Sequence, residues 1–171
     1  PCAMKHPSFL SRQVTSGQYY FLDLSARSPS ARTIVLCGGL EVCAPTYRVD
    51  RPNGFFCHGL EYVADGKGTY HVDTGRRHPL HAGAVFYYSP GSPHRIDSDP
   101  QSPLVKYFVD FIGDPALDLL RQGPLHDGKP VYLANPDHVR RLFEDMQMAG
   151  ERATAFSPAL CSRILELLIL L

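Results

Sequence analysis

Short apolar segments separated by turn-forming residues fill the stretch from residue 54 to residue 94. Asp65-Gly66 interrupts the first segment, and Ser89-Pro90-Gly91 ends the last one. Strands this short, with a turn about every eight to twelve residues, are typical of an antiparallel barrel or sandwich. We predict four strands in this stretch, over residues 55–64, 68–73, 76–80 and 84–88.

The segments on either side continue the pattern. Residues 104–111 alternate strictly, which places Lys106, Phe108 and Asp110 on one face of a strand. The opposite face is fully apolar and consists of Val105, Tyr107, Val109 and Phe111. The pair Gly38-Gly39 is interpreted as a break between two strands. We therefore predict further strands over residues 18–24, 32–37, 40–44 and 47–49.

From residue 114 onward the sequence has helical periodicity. Three pairs are predicted to begin helices: Asp114-Pro115, Asn135-Pro136 and Ser157-Pro158. Proline is favoured at the first helical position, and Asp, Asn and Ser are favoured as N-caps. Strands first and helices last, without alternation, indicate a mainly β chain of the α+β class in which the helices are segregated at the C-terminal end.

The third predicted helix is apolar almost all the way round. One interpretation is that it is buried under the second helix. We favour the interpretation that one side packs on the second helix and the other on a second subunit, because a single flanking helix cannot cover so broad a stripe. The predicted dimer interface has heptad spacing and consists of Leu160, Ile164, Leu167 and Leu171. Because the chain stops within this apolar run, we interpret it as part of a longer protein.

The composition and charge of the chain argue against several classes of function. The chain has 17 Lys and Arg against 17 Asp and Glu, so no net charge favours nucleic acid. The five cysteines form no CxxC pair, and we interpret them as reduced thiols of a cytoplasmic protein. The apolar run 164–171 is too short to span a bilayer.

The sequence does not predict the metal site that a barrel of this kind can hold. The candidate ligands are His58, Glu61 and His94, with Phe56 where a first histidine would lie. His58 and Glu61 are separated by an odd number of residues, so in a regular strand they point to opposite faces. The sequence also lacks the GxSxG, P-loop and GxGxxG motifs. We predict neither an enzyme nor a cofactor.

Several short motifs, in order and spacing, resemble the N-terminal sensor domain of AraC-family transcription regulators. They are Asp50-Arg51-Pro52-Asn53-Gly54, Glu61-Tyr62-Val63 with Gly66-Lys67-Gly68-Thr69, Pro79-Leu80 with Gly83, Ser89-Pro90-Gly91-Ser92-Pro93-His94-Arg95, and residues 106–111. The resemblance implies a cupin-like antiparallel β-barrel (jelly roll) over residues 18–113. It also implies an N-terminal arm over residues 1–17 and a helical dimerisation segment over residues 114–171. The family's C-terminal helix-turn-helix DNA-binding domain is absent from this chain.

The resemblance also implies which residues bind an effector. Arg51 matches a guanidinium that clamps sugar hydroxyls in the family's sugar pocket, and Phe108 stands at the position of a stacking tryptophan. Ile96 replaces a tyrosine, and Lys106 replaces a histidine. We place His58 and His94 on the wall or rim of the same pocket, and the resemblance implies that Phe9 and Leu10 of the arm act as a lid.

We therefore expect an effector-sensing and dimerising domain of a bacterial regulator, which binds a sugar or a sugar acid. Convergence of Arg51 and Lys106 on one cavity would favour a carboxylate. Two alternatives stay open: a stand-alone, metal-dependent cupin enzyme acting on a small sugar or acid, and a barrel that only dimerises and has a filled interior. Homodimerisation through the last helix is expected, DNA is contacted only through the absent domain, and no membrane contact is expected.

Overall fold

The chain folds into two antiparallel β-sheets that face each other, with helices packed on the outer face of the larger sheet. The computed structural model describes residues 13–26, 33–72, 75–125 and 127–171. The strands in these ranges are Val14–Phe21 (β1), Ile34–Cys43 (β2), Arg48–Arg51 (β3), His58–Asp65 (β4), Lys67–Val72 (β5), Arg76–His81 (β6), Ala84–Tyr88 (β7), His94–Ser98 (β8), Val105–Ile112 (β9) and Val131–Tyr132 (β10). The helices are Asp114–Gln122 (α1), Pro136–Glu151 (α2) and Ser157–Leu170 (α3), with a 3₁₀ turn at Leu24–Ala26.

The order of the strands defines the two sheets. The larger sheet has six strands in the order β1-β2-β9-β4-β7-β10, and the smaller has four in the order β3-β8-β5-β6. All the strand pairs within both sheets are antiparallel. Consecutive strands often lie in different sheets, so the chain crosses between them repeatedly. This arrangement confirms the prediction of an antiparallel β fold followed by helices.

Strand β9 lies at the centre of the larger sheet, between β2 and β4, and its two faces have different surroundings. Tyr107, Val109 and Phe111 pack on the helices, in a core that also contains Phe143 and Leu165. Lys106, Phe108 and Asp110 face the opposite way, toward the space between the sheets. The alternation predicted from residues 104–111 is therefore confirmed.

The space between the sheets contains a second, smaller core. It is contributed by both sheets and consists of Cys43, Tyr47, Val63, Tyr70, Leu80, Ala84, Phe86, Tyr88, Ile96 and Leu104. Aromatic rings and aliphatic side chains close this part of the interior, while the charged side chains of β9 and its neighbours lie beside it. The interior is therefore divided into an apolar part and a polar part.

The predicted break at Gly38-Gly39 is wrong, because β2 runs through both glycines without interruption. A Cβ atom on Gly38 would lie 2.7 Å from the carbonyl oxygen of Phe108, and one on Gly39 would lie 2.3 Å from that of Gln18. These glycines allow the neighbouring strands to approach closely, which is the other common reason for glycine in a strand. Strands β8 and β10 were not predicted, and β1 begins four residues before its predicted start.

The three helix starts are confirmed, but their predicted side-chain caps are not. Proline occupies the first or second position of each helix, and none of the three has a side-chain cap hydrogen bond. Ser157 Oγ instead donates to the carbonyl oxygen of Ala149 at 2.6 Å, which ties the start of α3 to the end of α2. None of the helices in the described ranges is long and apolar enough to cross a membrane.

Candidate ligand-binding site

A buried lysine between two carboxylates lies at the centre of the interior. Lys106 Nζ is 2.9 Å from Glu41 Oε2 and 2.9 Å from Glu61 Oε2. The three residues come from adjacent strands, since Lys106 is the register partner of Glu41 and Glu61 is the partner of Phe108. Each of the three is at most 3% exposed. Burial opposes the charged form of Lys106, but Glu41 and Glu61 outweigh burial and raise its pKa well above the ordinary value. We call these three residues the ion triad.

Three tyrosine hydroxyls surround the ion triad. Tyr88 donates to Glu61 Oε1 at 3.1 Å, and Tyr19 donates to Glu41 Oε1 at 3.3 Å. The hydroxyl of Tyr47 lies 3.5 Å from Glu41 Oε2. Burial raises the pKa of all three tyrosines, so they stay protonated and donate to the carboxylates. The carboxylates therefore have partners besides the lysine, as buried charges require.

Asp110 is a third buried carboxyl on the same face. Its Oδ2 accepts a long hydrogen bond from the thiol of Cys37 at 3.6 Å, while its Oδ1 has no partner among the described residues. Burial is the largest cause that raises the pKa of Asp110 to about 7, and the charge of Glu61 adds to it. Arg51, the Cys37 hydrogen bond and Lys106 act in the opposite direction. Asp110 therefore changes its charge near neutral pH.

Arg51 ends strand β3 and is held at the edge of the interior. Its Nη1 is 3.3 Å from His94 Nε2, and its guanidinium carbon lies 3.7 Å from the centre of the Phe55 ring. His94 Nδ1 is 2.9 Å from the carbonyl oxygen of Ser92, so Nδ1 carries the proton and Nε2 accepts from Arg51. Burial lowers the pKa of His94, which keeps this ring neutral. A guanidinium has five N–H donors, so Arg51 retains donors for a ligand.

Two cavities flank the loop between β7 and β8. One, of about 350 Å³, is lined by Tyr70, Val72, Tyr87, Tyr88, Ser89, Ser92, Pro93, Asp127 and Gly128. The other, of about 330 Å³, is lined by Asp50, Pro52, His71, Gly75, Arg77, Pro93, His94 and Arg95. Both have the size typical of small-molecule pockets. They share Pro93, and each is lined by one side chain of the inner site, Tyr88 or His94.

The structure brings together most of the side chains that the sequence predicted as effector-binding. Lys106 Nζ lies 5.5 Å from the centre of the Phe108 ring, and Phe108 lies against Tyr19. Ile96 is buried in the apolar part of the interior. Lys106, however, is already paired, so it does not offer the uncommitted cation on which the expectation of a carboxylate ligand depended. The predicted lid residues Phe9 and Leu10 lie outside the described residues.

His58 does not lie with the other predicted site residues. Its Nδ1 is 2.7 Å from the Tyr87 hydroxyl, and its ring stacks on Phe111 at 5.2 Å. Both contacts are on the helix-packed face of the larger sheet, whereas Glu61 points into the interior. The odd separation of His58 and Glu61 in sequence predicted these opposite orientations.

Sequence reasoning missed four side chains of the site, namely Tyr19, Glu41, Tyr47 and Tyr88. A lone glutamate inside an apolar strand was the available indication for Glu41, since a buried charge needs a partner. The tyrosines gave no such indication, because aromatic residues are common in strands of every kind.

The described side chains of the site include no activated nucleophile. Burial raises the pKa of the thiols of Cys37, Cys43 and Cys57, and the reactive form of a thiol is the thiolate. Lys106 is held in its charged form, in which an amine cannot attack. No three His, Cys, Asp or Glu side chains in the described ranges are grouped as metal ligands. The arrangement suits recognition through hydrogen bonds.

Comparisons with known proteins agree with this architecture. A family model described as an AraC-like ligand binding domain matches residues 38–169. The AraC-like transcriptional activator CuxR is 14% identical with a TM-score of 0.59, and the match covers 81% of this chain and 51% of CuxR. A cupin 2 conserved barrel domain protein from Salinispora arenicola CNS-205 is 22% identical with a TM-score of 0.40, and the match covers 60% of this chain and 78% of that one.

No curated protein matches the chain. The family match and the two facing antiparallel sheets identify the fold as a cupin-like jelly-roll barrel. The chain spans about half the length of CuxR, and at these identities the solved structures show the fold alone.

Replacing Lys106 by methionine tests the ion triad. In Lys106→Met, Glu41 and Glu61 would be buried without a counter-charge, so we expect a loss of about 3–5 kcal/mol in the free energy of unfolding. Urea denaturation measures this loss. The control is a triple variant, Glu41→Gln with Lys106→Met and Glu61→Gln, in which no charge is stranded and most of the stability returns. A single variant as stable as the unmodified chain would contradict a paired lysine.

Replacing Asp110 by asparagine tests the raised pKa. The folded-state pKa of about 7 lies above the ordinary value of 3.8, so the folded state binds the proton more tightly and stability falls as the pH rises from about 4 to about 7. Asp110→Asn, which removes the charge, should be more stable than the unmodified chain by about 4 kcal/mol at pH 8 and nearly equal to it at pH 4. Chemical denaturation across this pH range measures the difference.

Asp145 provides the control for this experiment, since it is exposed on α2. Asp145→Asn, a substitution at an exposed position, should change the free energy of unfolding by less than about 0.5 kcal/mol. If Asp110→Asn also followed the unmodified chain, Asp110 would have an ordinary pKa in the folded protein.

Proposed function

Because the chain belongs to the AraC-like ligand-binding domain family, we propose that it is the effector-sensing and dimerisation part of a transcription regulator. In this proposal a small molecule binds inside the barrel and changes the balance between two arrangements of the protein, without being transformed. DNA is bound by a separate C-terminal domain of the longer protein. The single observation that carries the proposal is the set of polar side chains that converge between the two sheets, at a barrel edge formed by Arg51 and His94.

A sugar is the class of effector that this set of groups favours. Sugars present hydroxyl groups that both donate and accept hydrogen bonds, together with an apolar ring face. Arg51 supplies donors, Asp110 supplies an acceptor, and Phe108 supplies a flat apolar surface on the same side of the larger sheet. These three side chains come from β3 and β9, one strand from each sheet, so a bound molecule would bridge the two sheets.

The arm is a further part of the proposal. Residues 1–17 would cover the effector, with Phe9 and Leu10 as the lid. Strand β1 begins at Val14, within this range, and leads to the site, because Tyr19 contacts both Glu41 and the ring of Phe108. A change in the arm would therefore be transmitted to the ion triad through a few residues of β1.

The stand-alone, metal-dependent enzyme is tested by elemental analysis of the purified protein, and no observation in the described ranges favours it.

Dimerisation through α3 is supported by the way this helix is packed. One side is buried against the core and consists of Cys161, Leu165, Leu168 and Ile169. Of the four predicted interface residues, Leu160, Leu167 and Leu171 are 49%, 44% and 53% exposed, while Ile164 is partly packed against the core. Apolar side chains that recur along an exposed helix face are typical of a helix that pairs with a second copy.

The effector site is tested by replacing Arg51. Sugars and sugar acids are screened by thermal shift, because a ligand of the folded state raises the apparent stability. For a molecule found in this way, we expect Arg51→Ala to weaken binding at least about tenfold in calorimetry, the usual cost of losing a charged hydrogen bond. The dimer should stay intact.

Arg48→Ala is a matched control on the same strand, since Arg48 points outward and pairs with Asp97 at 2.6 Å. This variant should bind the molecule as the unmodified chain does. Equal affinity in Arg51→Ala would show that the effector binds elsewhere.

The dimer interface is tested by placing a charge on the exposed face of α3. Leu167→Glu should give monomers in sedimentation experiments, because it buries an unpaired carboxylate at the interface. Met148→Glu is the control, since Met148 is an equally exposed apolar residue on α2. It should remain a dimer. A dimer that persists in Leu167→Glu would place the interface on another surface.

A further inference from the structure

The charges in the barrel interior do not balance when Asp110 is ionised. Lys106 is shared by Glu41 and Glu61, which leaves the ion triad with one negative charge. The positive charge of Arg51 offsets it, so these four residues sum to zero. Asp110 adds a further negative charge for which no interior cation remains among the described residues.

We infer that the effector presents a hydrogen-bond donor to Asp110 Oδ1, preferably an ammonium group, and that the interior selects against molecules with a carboxylate at this position. The inference rests on the proposed function, since it assumes that the effector binds inside the barrel. It names the chemical class of the molecule and opposes the sugar-acid alternative.

The first support is that Asp110 Oδ1 is buried without a partner. The Asp110 side chain is 3% exposed, and Oδ1 has no donor among the described residues. A buried polar atom without a hydrogen bond costs free energy, so such atoms in native proteins usually have a partner that completes them. An atom of this kind inside a proposed binding site indicates where a ligand donor would be recognised.

The second support is that the neighbouring strands bring no side-chain donor to Asp110 Oδ1. The thiol of Cys37 donates to the other oxygen of Asp110, and the hydroxyl of Tyr88 donates to Glu61. Lys106 is held by the ion triad. On the β4 side, the register partner of Asp110 is Gly59, which has no side chain that could donate. No described side chain donates to Oδ1, so a ligand or a buried water molecule can supply the donor.

The third support concerns the charge of the ligand. The titratable and charged groups around Asp110 come from seven strands and the segment before β4, and they are Tyr20, Cys37, Glu41, Arg51, Cys57, Glu61, Tyr88, His94 and Lys106. The net charge of these groups is zero, because the thiols, the tyrosines and His94 are neutral. A ligand ammonium would supply the cation that an ionised Asp110 lacks, whereas a ligand carboxylate would add a second uncompensated charge.

The test uses three probes that differ in charge and hydrogen-bonding groups: methylammonium, methanol and formate. Their binding to this chain is followed by the ¹³C signal of the Asp110 carboxyl group and by thermal shift, at constant ionic strength. Since the pKa of Asp110 is raised to about 7, the ionised fraction increases about tenfold between pH 6 and pH 8. Methylammonium should therefore bind about tenfold more tightly at pH 8, methanol should bind with little pH dependence, and formate should not bind at either pH.

Asp110→Asn is the variant that makes the test specific. It should lose the pH dependence of methylammonium binding and the preference for methylammonium over formate. Methanol binding without methylammonium binding would assign Oδ1 to a hydroxyl donor and overturn the preference for an ammonium. If formate bound as well as methylammonium, or if no probe moved the Asp110 signal because a water molecule satisfies Oδ1, the inference would be wrong.

Failure here is distinguishable from failure of the proposed function. A sugar found by thermal shift that needs Arg51 but binds equally well to Asp110→Asn would overturn this inference and leave the sensor function in place. A molecule whose binding depends on neither Arg51 nor Asp110 would contradict both the proposed effector site and this inference.

Discussion

The structure depends on keeping a charged lysine buried between two sheets. Lys106 is held by Glu41 and Glu61, which come from the strands on either side of β9. A buried charge is tolerated only when its partners are in place, so the three strands must pair in one register. A slip of one residue in β9 would turn Lys106 toward the helices and Tyr107 into the interior. The ion triad therefore specifies the register of the central strands.

The same strand connects the interior to the helices. Lys106, Phe108 and Asp110 face the proposed effector, while residues between them along β9 pack on α2 and α3. Tyr107 contacts the ring of Phe143, and its hydroxyl donates to Glu144 at 3.3 Å, so β9 meets α2 through both apolar and polar contacts. Contact alone is not coupling, which requires an element with two arrangements that both sites bias. In this fold β9 is the element in a position to fulfil that role, since it contacts the interior and the helices.

Local patterns predicted the elements well and predicted the site only in part. The strict alternation of residues 104–111 and the three proline-containing helix starts depend on a few adjacent residues, and the structure confirms them. The strand break predicted at Gly38-Gly39 was wrong because these glycines allow Gln18 and Phe108 to approach closely, and both residues belong to strands that are distant in sequence. The partners of Lys106 were missed for the same reason. Residue type indicated a cation in the barrel, but only the pairing of distant strands shows that its charge is already committed.

The pairing of Lys106 with Glu41 and Glu61 changes which molecules the interior can recognise. With Lys106 uncommitted, two cations would converge on the cavity and a carboxylate would be the matching group. With Lys106 paired, Arg51 at the edge supplies donors and Asp110 deeper in the barrel supplies an acceptor. A complementary molecule then carries an acceptor at one end and a donor at the other, as a sugar or an amino sugar does. Since each polar group left unpaired in the interior costs more than a surface hydrogen bond contributes, our proposal assigns specificity to the positions of Arg51 and Asp110 and not to the net charge of the chain.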